Sequence, residues 1–173
     1  MKIFKPTPQE YNALSYQHSY IQQVTSDDAL KQMSENISIV DNFYQSLPSE
    51  KHFYRYDTGK WTPIEILGHL IDTERILAYR ALCIARGEKQ SLPGFNEAQY
   101  MAGTNFNKKS LRSLRLQYKA QRKSTILLFK SFSNDELHRV GLANNQPTST
   151  RALAWLIPGH ELHHLKILNE RYL

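Results

Sequence analysis

Apolar residues recur at intervals of three and four along four long stretches of the chain, and no stretch of useful length alternates strictly between apolar and polar. The pattern therefore predicts an all-α protein. The first stretch follows Ser26-Asp27, a capping pair, and carries Leu30, Met33, Ile37, Val40, Tyr44 and Leu47 as one stripe before Pro48 stops it. The second opens at Thr62-Pro63, a cap followed by proline at the first helical position, with Glu65 in the first turn. It runs to about Arg86, where Gly87 is a natural stop. The third covers residues 108–132 and the fourth residues 150–172.

The connections complete the outline. Residues 88–107, with Pro93-Gly94, Asn96, Gly103 and Asn105, form a long polar link with a turn of helix at Glu97 to Met101. A link of that length suits a crossover along a bundle. Ser133 to Glu136 starts a short helical turn that Gly141 closes, and residues 143–149 read as a loop. Residues 1–26 read as an irregular N-terminal arm with a short helical turn near Glu10 to Tyr20. The remaining residues, 27–173, read as one four-helix bundle with long crossover loops.

Composition narrows the setting. A chain of 173 residues can bury one core without disulfides, and its only cysteine, Cys83, has no partner for a bridge or a thiolate zinc cluster. Neither a secretory leader nor an apolar run of membrane-spanning length is visible, so a soluble cytoplasmic protein is expected, with no membrane partner. The net charge of +6 raises the question of nucleic acid. The basic residues are scattered, however, and the densest group (Lys108, Lys109, Arg112, Arg115, Lys119, Arg122, Lys123) winds around the third helix with no recognised binding motif beside it. A solvated helix face is expected there, and no nucleic-acid partner.

The chemistry concentrates in Pro158-Gly159-His160-Glu161-Leu162-His163-His164. On a helix, His160 and His164 lie one turn apart on one face, so both imidazoles can reach one ion. Leu153, Leu156, Ile157, Ile167 and Leu168 share that face, so both rings point toward the core, while His163 lies on the flank as a weaker ligand candidate. Spacing alone leaves open whether these are metal ligands or ordinary hydrogen-bonded histidines. The string also matches the His-Glu-x-x-His of zinc proteases, but only nine residues follow it, and Glu161 is expected to face solvent or a neighbouring loop.

A third ligand must come from elsewhere. His69, on a face of the second helix with Ile66, Thr73, Ile76 and Arg80, is best placed to look into the bundle, whereas His18, His52 and His138 fall in polar arm, loop and turn. Two charges interrupt apolar stripes: Glu74 among Leu67, Ala78, Ala81 and Ala85, and Arg122 among Leu111, Tyr118, Thr125 and Phe129. Uncompensated burial of either costs several kcal/mol, so they are expected to pair with each other or with a ligand. Arg80 reads either as a binder of an anionic substrate group or as a snorkelling surface arginine.

These residues resemble a known family. The segment from Lys60 through Trp61, Thr62-Pro63, His69, Asp72 and Glu74 to Arg80 is similar to the second-helix signature of DinB/YfiT-like proteins. Leu92-Pro93-Gly94-Phe95-Asn96-Glu97 and Gly159-His160-Glu161-Leu162-His163-His164-Leu165 follow in the family's order. The resemblance implies a DinB-like four-helix bundle in which His69, His160 and His164 hold one divalent metal ion per chain, commonly zinc or nickel. It further implies a metal-dependent enzyme acting on a small-molecule substrate, with a low-molecular-weight thiol such as bacillithiol, mycothiol or glutathione as co-substrate in several members, and it leaves a homodimer open. Pro158, where a helix-forming residue is more usual, raises the prospect of a kink at the metal site.

Glu74, Arg80 and Arg122 are then the candidate catalytic residues beside the ligands. The expected function is transfer of a thiol to an electrophile. A hydrolase using metal-bound water is the first alternative, and a non-enzymatic metal-binding or stress-linked bundle the second. No Ser, Cys or Asp stands in a nucleophile arrangement, and Cys83 reads as a small core or boundary residue.

Overall fold

Four long helices form where the apolar stripes predict them, and capping residues set their starts. A computed structural model describes the whole chain, residues 1–173. In order it contains helices α1 (Tyr16–Gln23), α2 (Ala29–Ser46), α3 (Pro63–Ala85), α4 (Glu97–Ala102), α5 (Leu111–Lys130) and α6 (Asn134–His138), strands β1 (Val140–Ala143) and β2 (Gln146–Ser149), and helix α7 (Thr150–Arg171). The Asp28 side chain accepts from the Leu30 N–H, so α2 starts just beyond the expected pair. At α3 the Thr62 hydroxyl accepts from the Glu65 N–H, while the Glu65 carboxylate accepts from the Thr62 N–H at 2.7 Å. Two of the helix's orphan donors are thus satisfied reciprocally. The Ser110 and Ser149 hydroxyls cap α5 and α7 one way, accepting from the Ser113 and Ala152 N–H groups.

The bundle core is divided along its axis. One apolar cluster gathers Met33 of α2, Leu77 and Ile84 of α3, Phe129 of α5 and Trp155 and Ile157 of α7. A second gathers Val40 and Tyr44 of α2, Leu67 and Ile71 of α3, Leu114 and Tyr118 of α5, and Leu168 and Tyr172 at the end of α7. Between them along all four helices lie buried polar residues: Asn36, then His69, Thr73 and Glu74, then Arg122 and Thr125, then His160 and Glu161. This polar waist contains the three histidines singled out in the sequence.

Two sequence expectations are corrected, and the expected helix through Pro158 is found. The first 26 residues contain α1 and enter the core, with Ile3, Tyr11, Ile21 and Val24 buried and the Trp155 indole donating to the Ile3 carbonyl at 3.2 Å. Residues 140–149 form an antiparallel hairpin pairing Val140 with Ser149, where a helix-closing turn and a loop were expected. Four-residue strands are too short to print an alternating pattern. The visible signal was Asn144-Asn145, both with positive φ (52° and 56°), a conformation that asparagine tolerates and that suits a two-residue hairpin turn. Finally, α7 runs helically through Pro158, at the cost of one backbone hydrogen bond.

The hairpin organises the long connection. Leu92 donates to the Leu142 carbonyl at 2.9 Å and accepts from the Asn144 N–H at 2.8 Å, clipping the link before α4 onto the hairpin turn. A Cβ on Gly94 would lie 2.2 Å from the Asn144 side-chain oxygen, so only glycine permits that approach. No helix is long and apolar enough to cross a membrane.

Candidate metal centre

His69 enters the polar waist from α3, and His160 and His164 enter it from successive turns of α7. The His160 Nε2 lies 3.0 Å from the Nε2 of His69 and 3.0 Å from that of His164. The donor atoms of all three lie within 4.8 Å of one another. Nitrogens bound to one ion at ~2.0–2.1 Å and roughly 90–110° apart would be separated by about 2.8–3.4 Å, a range into which both His160 pairs fall.

Electrostatics agrees with geometry. Burial pulls the His69 imidazole down to about 4, and burial with the neighbouring His69 and His163 rings pulls His164 down to about 3. His160, buried beside all three other rings, is held well below the usual histidine range. The imidazoles are therefore neutral near pH 7 and their lone pairs are free to ligate. No carboxylate or thiolate belongs to the cluster.

Other side chains hold the rings in place. The Thr73 hydroxyl lies 3.4 Å from the His69 Nδ1, leaving Nε2 for the cluster, and the Trp61 ring packs 4.8 Å from the His69 ring. Tyr20 of α1 lies 5.4 Å from His160 and 5.2 Å from His163, ring to ring. That contact exists because Gly159 precedes His160: a Cβ there would sit 2.1 Å from the Tyr20 carbonyl oxygen. His163 packs at a tilt against Tyr20 and edge-on to His164 but contributes no donor to the cluster.

Two cavities reach the histidines from different sides. One, of ≈ 150 Å³, is lined by Tyr56, Lys60, Trp61, Tyr172 and the partly buried His164. The other, of ≈ 30 Å³, is lined by Tyr16, Tyr20, Arg80, Phe95, Glu97 and His160.

Glu74 and Arg122 do pair, in a closed network that lines neither cavity. The Arg122 guanidinium donates to both Glu74 oxygens at 2.9 and 3.0 Å, to the Met33 carbonyl at 3.1 Å, and to Glu161. Tyr118 adds a hydroxyl to Glu161 at 2.9 Å. Glu161, expected at solvent or a loop, is instead 1 % exposed. One residue on from His160 it points about 100° around the helix, and on a helix packed against α1, α2 and α3 that direction is also interior. Burial raises its carboxyl above the usual range, with Arg122 opposing. Arg122 itself, despite burial, is pushed well above its ordinary value by the two carboxylates. It leaves the basic face expected on α5, where Arg115 and Lys119 pair with Asp41 at 2.7 and 3.1 Å.

Arg80 is not a surface residue. It is 4 % exposed, its Nη2 donates to the Pro93 carbonyl at 2.7 Å, and the Phe95 ring centre lies 5.7 Å from the guanidinium. The remaining histidines stand apart: His18 against the Tyr11 hydroxyl, His52 against the Leu47 carbonyl and His138 against the Asn134 carbonyl. Sequence reading missed Tyr20, Trp61 and Thr73. Each had a signal that was assigned no role: Thr73 shares the His69 face, Trp61 stands in the second-helix motif, and the glycine next to His160 marks the close approach of Tyr20.

Fold and site together define a four-helix bundle with a three-histidine centre at its waist. The sequence profile of the DinB superfamily matches residues 32–168, and the chain belongs to that superfamily. No curated protein sequence matches it. Among solved structures it is similar to YfiT from Bacillus subtilis, described as a probable metal-dependent hydrolase with an unusual four-helix bundle topology. The TM-score is 0.70 at 12 % identity, over 95 % of each chain. At that identity the likeness shows the fold.

Proposed function

We propose that this protein is a metal-dependent enzyme of the cytoplasm that transfers a low-molecular-weight thiol to a small electrophile at the His69, His160 and His164 centre. The observation that carries the reading is the convergence of three neutral imidazoles beside two cavities. Three nitrogen donors without a charged ligand suit zinc or nickel and leave coordination positions for a reactant. When bound, such an ion is a Lewis acid that lowers the pKa of a coordinated thiol or water toward neutrality.

The protein's own residues do the rest. Thr73 and Trp61 orient His69, and Tyr20 covers His160. The network of Glu74, Arg122 and Glu161 pins α3, α5 and α7 at the level of the histidines, so Glu74 and Arg122 act as positioning residues. Sequestration of Glu161 by Arg122 and Tyr118 favours thiol chemistry over the protease-like alternative, because the carboxylate beside the histidine motif is unavailable as a general base for water. The hydrolase reading stands second, supported by the description of the YfiT structure.

Protein purified without a histidine tag should carry about one zinc or nickel ion per chain. A chelator should lower its melting temperature, by an amount equivalent to about 2.7 kcal/mol if free metal stands at ~100 times its Kd. Conjugation of a cysteine-based thiol to a generic alkylating electrophile should require the ion and vanish in His160→Ala. Metal-dependent cleavage of esters or amides without conjugation would move the assignment to hydrolase. A protein that binds no metal would be a non-enzymatic bundle.

A further inference from the structure

Arg80 is a buried charge without a counter-charge. None of the chain's ion pairs includes it, and its one hydrogen bond goes to the neutral Pro93 carbonyl. A guanidinium has five N–H donors, so most of this one's are left over. Arg122, equally buried, is saturated by two carboxylates and a carbonyl. Taking a cation out of water costs several kcal/mol unless an anion compensates. The leftover donors belong to a residue that lines the same ≈ 30 Å³ cavity as His160.

We propose that Arg80 is the carboxylate-binding residue of the substrate pocket, and that the enzyme's substrate carries a single carboxylate held there while its reactive end lies toward His160. The donor geometry sets the class of anion as a planar carboxylate, because the leftover N–H groups of one guanidinium lie in a plane. The planar fork of arginine matches that group with two parallel hydrogen bonds. Phe95 on the guanidinium and the Pro93 carbonyl fix the fork's direction, and the hairpin fixes the segment that bears both. Glu97 lines the same cavity unpaired with Arg80, so a second anionic group on the ligand is disfavoured. The assignment of this ligand as substrate rests on the histidine centre being the reactive site. Carboxylate binding itself does not.

The test uses the full-length, metal-loaded protein labelled with ¹⁵N-arginine, titrated with sodium acetate against sodium chloride of equal ionic strength. The Arg80 Nε–H resonance, identified as the one missing in Arg80→Lys, should shift saturably with acetate. Sulfate should bind at least about tenfold more weakly, and Arg80→Lys should weaken acetate binding, read on neighbouring resonances, by a similar factor. The shift should persist in His164→Gln, which separates this site from acetate on the metal. Absence of a saturable shift, equal binding of sulfate, or an Arg80→Lys variant that only melts earlier would overturn the proposal and leave Arg80 a clamp on Pro93. Intact metal-dependent conjugation without an acetate shift sinks this inference alone. An acetate shift in a protein without metal-dependent activity sinks the proposed function alone.

Discussion

His160 and Glu161 are neighbours in the chain, both buried, and belong to polar clusters of opposite character. Glu161 joins Arg122 and Glu74, where each charge meets an opposite one and the guanidinium is also bonded to the Met33 carbonyl. His160 joins His69 and His164, where three neutral rings turn their nitrogens on one another with no charge among them. The first cluster is closed: the one void it borders, which His160 also borders, is too small for a water. The second is open to two cavities. A polar group buried with its partners holds a fold together, whereas polar groups buried facing one another without partners mark the place a ligand completes. Arg80 repeats the second pattern and Arg122 the first, one helix apart.

The sharpest test of this contrast is removal of its cation. Arg122→Met leaves Glu74 and Glu161 buried without their counter-charge and should destabilise the protein by about 3–5 kcal/mol in urea unfolding. In chelated protein, His160→Gln should cost less than about 1 kcal/mol, because no native partner is lost. Equal losses would make the histidine cluster structural. Next in size, Gly159→Ala should cost about 1–3 kcal/mol, since the new methyl must displace the Tyr20 backbone. It should also weaken metal binding by loosening the ring over His160, read by competition with a chromogenic chelator.

A further effect is in pH. His69 and His164 titrate at about 4 and 3 in the fold, against 6.5 ordinarily. Their folded values are the lower ones, so the stability they permit is full above 6.5 and is lost as pH falls toward 4. Each histidine contributes a slope of up to about 1.4 kcal/mol per pH unit, less for the partly exposed His164. Chemical unfolding of chelated protein at pH 7.5, 6 and 5 should show that decline, and His69→Gln should flatten it. A stability independent of pH over this window would mean the rings are charged or solvated in the fold.

The helices and the site were legible to different depths. Thr62-Pro63 and Glu65 announce α3 because a capping box is satisfied within four residues, and the one-turn spacing of His160 and His164 follows from helix geometry alone. His69 was reachable by the face it occupies. The Glu74 pairing with Arg122 was reachable as a cost argument, since a buried charge implies a partner somewhere. The hairpin was not, because its strands are stabilised by Leu92 and by each other rather than by any pattern of their own. Glu161 was misjudged as a surface group, and for Arg80 a surface reading stood beside the anion-binding one.

The amino-acid order by itself determined which residues are helical, where the helices stop, and which stripe of each turns inward, because those are set by contacts within a few positions along the chain. Only the packed structure decided that the first 26 residues cover the histidines, that Glu161 closes an ion network, and that Arg80 is buried without a counter-charge. Periodicity fixes a side chain's angle around its own helix axis. What waits at that angle belongs to another helix, brought there by burial of the two apolar clusters on either side.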